Sequence, residues 1–403
     1  MLKKMIKVLT WTLVALAGIL VLALAVALLV YPPVYVFRVL AWGNSDAFDW
    51  QKFPNHPLVA SPLPVPFEKA PDEQVAALFA RLANVGDWGA FLEENHTQAF
   101  IVIQDGAVLY EDYFNNTQRD SIVTSFSVAK SYTSALIGIA IDEGYIKSVD
   151  DPITDYLPEL AARDPRFADI TIRHLLRMSS GFEYKENRFF GLNGDDALTT
   201  YYPDQRHLAL SNTKIVDPPG AYFLYNKYHP QLLGMILERT TGRSVTEYLQ
   251  SKIWDPLGME FGGSWSIDSE ASDFEKMETG INARAIDFAR FGQLFLNEGA
   301  WNGQQVISAA WVRESTQPFL PDNYAAYYPS DWFSPLPGKG YYQYMWWGTS
   351  IAPASYDFMA GGDKGQFIYI SPRKALVIVR NGTDYGIPFE AWFDLFYRFA
   401  NQL

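Results

Sequence analysis

The stretch TSFSVAKSYTSALIGIAI, residues 124–141, carries one charged side chain, Lys130, among residues that are otherwise small, hydroxylated or apolar. The run reads as a helix that is buried all round and stops at Gly144. Ser127 and Lys130 stand three apart, and residues at i and i+3 share a helix face, so hydroxyl and amine come within hydrogen-bond reach. In the first turn of a helix, unpaired backbone N–H groups and the positive dipole end help polarise a carbonyl. The same dipole and the apolar surroundings push a lysine towards its neutral amine. A serine beside such an amine is an activated nucleophile. The spacing alone also describes an ordinary surface helix in which Lys130 snorkels to water and Ser127 caps the end. The lack of other charge on this helix is what favours chemistry.

Upstream, AFIVIQDGAVLYEDYF predicts strands at 99–104 and 107–113 around the turn pair Asp105-Gly106. Downstream, GQFIYISPRKALVIVRNG predicts strands at 366–370 and 376–380, and an amphipathic helix from about Pro388. The two chain ends are expected to share one antiparallel sheet. Between them the sequence is mainly helical, with stops at Gly144, Gly181, Gly242 and Gly299. Residues 183–219 are aromatic and show no clear periodicity, which suits a lid or pocket wall.

A second cue lies about a hundred residues after the serine. PPGAYFLYNKYHPQLLGMILERTTG places Tyr225 between a Pro-Gly turn and an amphipathic helix. With this pair of motifs the chain resembles the serine β-lactamase and penicillin-binding-protein superfamily, in the branch of class C β-lactamases, esterases and 6-aminohexanoate-dimer hydrolases. The PGxxFxYxN pattern of that branch is met at Pro219, Gly220, Phe223 and Tyr225, with Lys227 where asparagine would stand. Supporting similarity runs through ITIRHLLRMSSGFEY and ARAIDFARFGQLFLNEGAWNGQQVI to GQFIYISPRKALVIV.

The resemblance implies an α+β, β-lactamase/transpeptidase-like fold: an antiparallel sheet flanked by helices, a mainly helical subdomain, and a site in the cleft between them. It implies Ser127 as nucleophile, Lys130 as its proton partner and Tyr225 as the proton shuttle. An ammonium close to Tyr225 is expected to stabilise its phenolate. The superfamily's third motif, Lys/His-x-Gly, is replaced in DFMAGGDKGQF by Ala360-Gly361-Gly362, a shortened form similar to that of the aminohexanoate-dimer hydrolases. The backbone N–H groups of Asp363 and Ser127 would then form the oxyanion hole. The carboxylate of Asp363 must point away or pair with Lys364. Loss of the motif's cation weakens the case for β-lactam hydrolysis. Lys227, Asn226, Gly362 and Trp346, the last from YYQYMWWG, are the candidates for substrate binding. His174 reads as a packed helix residue.

Composition limits the alternatives. The chain has 403 residues, 49% of them apolar, and a formal charge of −13, which disfavours nucleic acid and anionic lipid as partners. Cysteine is absent, and the five histidines show no metal-ligand spacing, so thiol chemistry is excluded and neither metal nor cofactor is expected. Lys3, Lys4 and Lys7 precede an uncharged run, residues 8–31, that would span about 36 Å as a helix. An uncleaved anchor with the N-terminus inside is preferred to a cleaved signal peptide. The expected organisation is a transmembrane anchor at 1–31, a proline-rich juxtamembrane connector at 32–75 and a hydrolase domain at 76–403. The expected activity is that of a membrane-anchored serine hydrolase, on the periplasmic or extracellular side of a bacterial inner membrane, cleaving a small ester, linear amide or peptide. Its rivals are a β-lactamase or D,D-peptidase and, from another class, a silent envelope-binding scaffold.

Overall fold

The computed structural model describes residues 2–186, 191–328 and 334–403. Its centre is a sheet of eight strands. From one edge these run Gly340–Gln343, Trp346–Ala352, Ser355–Gly362, Gln366–Ser371, Leu376–Gly382, Thr97–Gln104, Ala107–Tyr113 and Glu68–Lys69. All neighbours are antiparallel except the last pair. The two chain ends therefore do meet, with Leu376–Gly382 paired to Thr97–Gln104. Asp105 and Gly106 both adopt positive φ, 50° and 80°, which a two-residue hairpin loop requires.

Alternation along one strand shows how the sheet is covered. Phe367 and Tyr369 turn towards Phe393 and Phe396 of the C-terminal helix Phe389–Gln402. Ile368, between them, meets the opposite helix Ala285–Leu296 at Gly292, where an added Cβ would lie 2.7 Å from the Ile368 side chain. Both faces are thus buried, and Gly292 lets the second helix lie directly on the strands.

The helical region is built around Ala129–Asp142, whose residues from Ala129 to Ala140 are all buried. Tyr132 of this helix stacks on Phe291 with ring centroids 3.6 Å apart. A smaller antiparallel sheet, in the order Asn55–Leu58, Gly263–Ser266, Ile281–Ala283 and Val123–Thr124, delivers the chain into the turn that bears Ser127. No periodicity announces this sheet, because its strands are only two to four residues long.

Two local expectations change. The helix read up to Gly181 closes at Leu176, since Met178 takes a positive φ of 55°. The stretch without clear periodicity contains two short helices, Asp195–Tyr201 and Gln205–Asn212, too brief to show a period; residues 187–190 of it lie outside the described residues. The connector is ordered as well, with helix Pro33–Trp42 and the strand Asn55–Leu58. Ahead of it stands helix Leu2–Val30, among the described residues the one helix long and apolar enough to cross a membrane, a composition shared by anchors and signal sequences.

His56 fastens the connector strand. Its two ring nitrogens lie 2.9 Å from Glu275 and 2.8 Å from Asp273, and these carboxylates, Glu275 foremost, raise its pKa to about 9. A raised histidine pKa contributes stability in full below about 6.5, and that contribution is lost as pH rises through about 9. His56→Ala is accordingly expected to lower Tm at pH 6 far more than at pH 10, as a pair of calorimetric scans would show.

Candidate active site

Ser127 sits in a 3₁₀ turn, Phe126–Val128, immediately ahead of the buried helix rather than within its first turn. The residue before it, Phe126, has φ 41°, an unfavourable conformation for a bulky side chain. Ser125 holds it there: its backbone N–H donates to the Ile281 carbonyl at 2.7 Å, and its hydroxyl donates to the Phe126 carbonyl at 3.0 Å. Backbone strain kept by such fixed surroundings is a common mark of a functional residue.

Lys130 Nζ lies 2.8 Å from Ser127 Oγ and donates to the Glu278 carbonyl at 2.7 Å. Burial pushes the amine well below the usual lysine range. The Glu278 carboxylate opposes this, and the Lys227 ammonium adds to it. The lone ammonium of the sequence is thus a desolvated amine next to a hydroxyl, and it does not snorkel to water.

Tyr225 lies on the loop before helix Tyr228–Thr241 and stacks on Trp347, with centroids 5.6 Å apart and planes at 23°. Lys130 Nζ sits 5.0 Å from the centre of its ring. Burial raises the Tyr225 pKa, and its hydrogen bond with Ser127 pulls it back only in part. Burial thus acts on both groups in the direction of their neutral forms, the phenol of Tyr225 and the amine of Lys130.

The strand Ser355–Gly362 ends against the serine turn. A Cβ on Gly362 would come within 2.6 Å of the Ser125 carbonyl oxygen and 3.0 Å of Ser127 N, so the approach demands glycine. Asp363 follows. Its carboxylate accepts the Lys364 backbone N–H at 2.8 Å and is hydrogen-bonded by Tyr385, whereas the Lys364 ammonium reaches Asp384 at 3.7 Å. The turn after Gly362 is fixed from behind by Arg380, which donates to the Gly365 carbonyl at 2.8 Å, and by Gln366, which donates to the Gly382 carbonyl at 2.6 Å.

These groups line a cleft of about 910 Å³. Ser127, Tyr225, Lys227, Gly362 and Asp363 all face it. Lys227 forms an ion pair of 2.8 Å with Asp196, so its charge is already partly answered. Two candidates are not brought to the cleft. Trp346 is fully buried against Phe291, Phe295 and Phe358, because neighbouring residues on a strand face opposite ways, and Trp347 takes the cleft side instead. Asn226 is buried too, its side-chain oxygen accepting the Tyr228 N–H at 2.9 Å.

Sequence reasoning missed Trp347, Tyr385, Phe389 and the Lys130 acceptor Glu278. It also missed Val39, Gly43, Asn44 and Ser45, which line the cleft from the connector. The doubled tryptophan and strand alternation limit the choice to Trp346 or Trp347 without deciding it; the others depend on tertiary packing. Among the described residues no group of three or more His, Asp or Glu side chains is arranged to hold a metal ion. His174 packs within its own helix start, where Nδ1 accepts the Thr171 N–H at 3.1 Å.

A family model, Beta-lactamase, matches residues 92–384, well over half of the chain. The chain belongs to the beta-lactamase family. Among the curated relatives of this family member, the 6-aminohexanoate-dimer hydrolase of Paenarthrobacter ureafaciens is 26% identical over 329 residues, covering 77% of this chain and 78% of the relative. Esterase EstB of Burkholderia gladioli is 26% identical over 215 residues, 48% of this chain and 54% of its own. Of solved structures, a Bacillus anthracis protein assigned as a 6-aminohexanoate-dimer hydrolase superposes with a TM-score of 0.73 at 24% identity, covering 87% of this chain and 91% of that one. The fold is accordingly the β-lactamase/transpeptidase-like one, and this family member is a serine hydrolase.

Proposed function

We propose that this serine hydrolase cleaves an ester or linear amide through an acyl-enzyme on Ser127, and that it does so at a membrane. The observation that carries the chemistry is the buried Lys130 amine 2.8 Å from the serine hydroxyl. Ser127 Oγ attacks the carbonyl while its proton passes to Lys130. The oxyanion is met by the backbone N–H groups of Ser127 and Asp363. Tyr225, a neutral phenol, gives its proton to the departing alcohol or amine and recovers one from the Lys130 ammonium, which resets both groups. Water then repeats the sequence on the acyl-enzyme, with the amine accepting its proton and Ser127 leaving.

Substrate class follows from what replaces a cation at Ala360. The cleft presents Trp347, Phe389 and Tyr385 near the serine, and its ammonium at Lys227 is engaged by Asp196. This favours an uncharged acyl group over a carboxylate-bearing lactam. The relatives' names, an aminohexanoate-dimer hydrolase and an esterase, support a linear amide or an ester as the bond cleaved.

The length of the uncharged run, residues 8–31, favours an uncleaved single-pass anchor over residues 1–31, and Lys3, Lys4 and Lys7 ahead of it with Asp46 and Asp49 after it favour the N-terminus inside. That orientation puts the connector at 32–75 and the catalytic domain at 76–403 on the periplasmic or extracellular face of a bacterial inner membrane.

Mass spectrometry after a fluorophosphonate probe, with a p-nitrophenyl ester series and a chromogenic cephalosporin in parallel, tests the reading. A single adduct on Ser127 and ester turnover without cephalosporin turnover is the expected result. No adduct and no turnover would sink it. Gly362→Ala is expected to cut ester turnover by about 10²- to 10³-fold, because the new methyl displaces one wall of the oxyanion site. Its folding should suffer by only about 1–3 kcal/mol, and steady-state kinetics beside a urea melt separate the two effects.

A further inference from the structure

Helix Pro33–Trp42 has two faces with different fates. One packs on the cleft: Arg38 donates to the Tyr201 carbonyl at 3.0 Å, Tyr35 to the Leu192 carbonyl at 2.7 Å, and Val39 lines the cleft itself. Tyr201 answers by donating to the Gly43 carbonyl at 2.8 Å, so the turn after the helix is pinned to the same wall. The other face is apolar and exposed. Phe37 is 58% and Leu40 62% accessible, and Val34 and Ala41 continue the stripe at helical spacing. With Leu24 and Leu28 of the preceding helix this face borders a groove of about 350 Å³.

Covalent continuity selects the occupant. Only Tyr31 and Pro32 separate helix Leu2–Val30 from helix Pro33–Trp42. Two residues span at most about 7 Å, so if the first helix crosses a bilayer the second begins at its surface. A helix held there with one apolar face unpartnered settles with that face among the acyl chains, and the partly exposed Tyr31 and Trp42 at its two ends are side chains suited to the headgroup level. The protein's negative charge is compatible with a zwitterionic lipid surface and not with a strongly anionic one.

We propose that helix Pro33–Trp42 lies in the lipid–water interface on Val34, Phe37, Leu40 and Ala41, and that the cleft behind it draws an acyl-bearing substrate from the membrane surface. The proposal rests on the first helix being an anchor and on Ser127 being the nucleophile. One helix diameter, about 10 Å, separates the docked face from the cleft wall. An amphiphile partitioned into the outer leaflet therefore has only this helix to pass before it enters the cleft that Val39 and Ser127 both line.

The absence of cysteine makes the test direct. The full chain is reconstituted in phosphatidylcholine nanodiscs with a nitroxide on one introduced cysteine, from Leu20→Cys, Phe37→Cys, Leu40→Cys or Tyr145→Cys. Collision with oxygen is compared with collision with a water-soluble nickel complex. Labels at 37 and 40 are expected to favour oxygen, as the label at 20 does, whereas that at 145 favours nickel. A second arm compares p-nitrophenyl acetate in solution with p-nitrophenyl decanoate in phosphatidylcholine vesicles. The double variant Phe37→Asp/Leu40→Asp should keep the first activity and lose about tenfold per side chain on the second. Nickel-accessible labels at 37 and 40 beside a lipid-embedded label at 20 overturn the docking and leave the anchor standing. A nickel-accessible label at 20 overturns both. Equal turnover of the vesicle ester by parent and variant overturns the delivery of substrate, and a parent that turns over neither ester removes the nucleophile reading beneath it.

Discussion

Ser127→Ala is expected to lower kcat for any ester this enzyme accepts by on the order of 10⁶, while leaving the fold and the cleft intact. The size follows from the coupling of the site. In the proposed mechanism Lys130, Tyr225 and the backbone N–H groups act on the bond made by the serine oxygen, and without that oxygen none of them has a reaction to assist. What remains is binding and whatever a stray water achieves near the oxyanion donors. The variant should melt within a degree or two of the parent, since the hydroxyl belongs to a surface of the cleft and its loss opens no buried cavity. Burst-phase kinetics with p-nitrophenyl acetate, read with a thermal melt, checks both halves. A variant that retains a hundredth of the parent activity would show that another residue carries the acyl group.

Lys130→Met is expected to reduce kcat/KM by on the order of 10⁴, the upper range for removal of a positioned base. The pH behaviour gives the sharper signature. Because burial holds the amine well below the ordinary lysine range, parent activity should rise with pH along a limb centred well under that range, and the methionine variant should lack it. Stability has a definite sign as well. The unfolded chain keeps its lysine proton up to about pH 10.4, whereas the folded chain gives it up earlier. Folding is therefore increasingly favoured as pH rises between the depressed folded value and the unfolded one, and the buried amine is a net burden below that window. Lys130→Met should then be at least as stable as the parent at neutral pH, although nearly inactive. A methionine variant that melts far below the parent would point to a structural lysine instead.

The parts of this molecule that were legible in its sequence are those with a local cause. Asp105-Gly106 declares its hairpin because two successive positive φ values suit few other pairs. The buried helix declares itself because one lysine among apolar and hydroxylated residues requires a partner, and Ser127 is the partner at the right spacing. Tyr225 could be placed only through the superfamily resemblance, since a tyrosine before a helix has many uses. Trp346 and Asn226 were misdirected by a single residue: on a strand or tight turn, adjacent side chains face opposite ways, and nothing local says which faces the cleft. Glu278 and Arg380 were invisible because their work is done from a distance in sequence. Glu278 offers a carbonyl to a lysine 148 positions away, and Arg380 reaches back to the Asn95 carbonyl across 285.

That long reach sets a timetable. Strand Leu376–Gly382 is the hinge pin between the two ends of the chain: it pairs with Thr97–Gln104 on one side and with Gln366–Ser371 on the other, and Arg380 within it steadies the turn that follows Gly362. A growing polypeptide that has made Ser127, Lys130 and Tyr225 still lacks this strand until almost the whole chain has been synthesised. On the proposed mechanism the oxyanion side of the site is thus the last to be assembled, and a chain ending before residue 376 is expected to show no ester turnover.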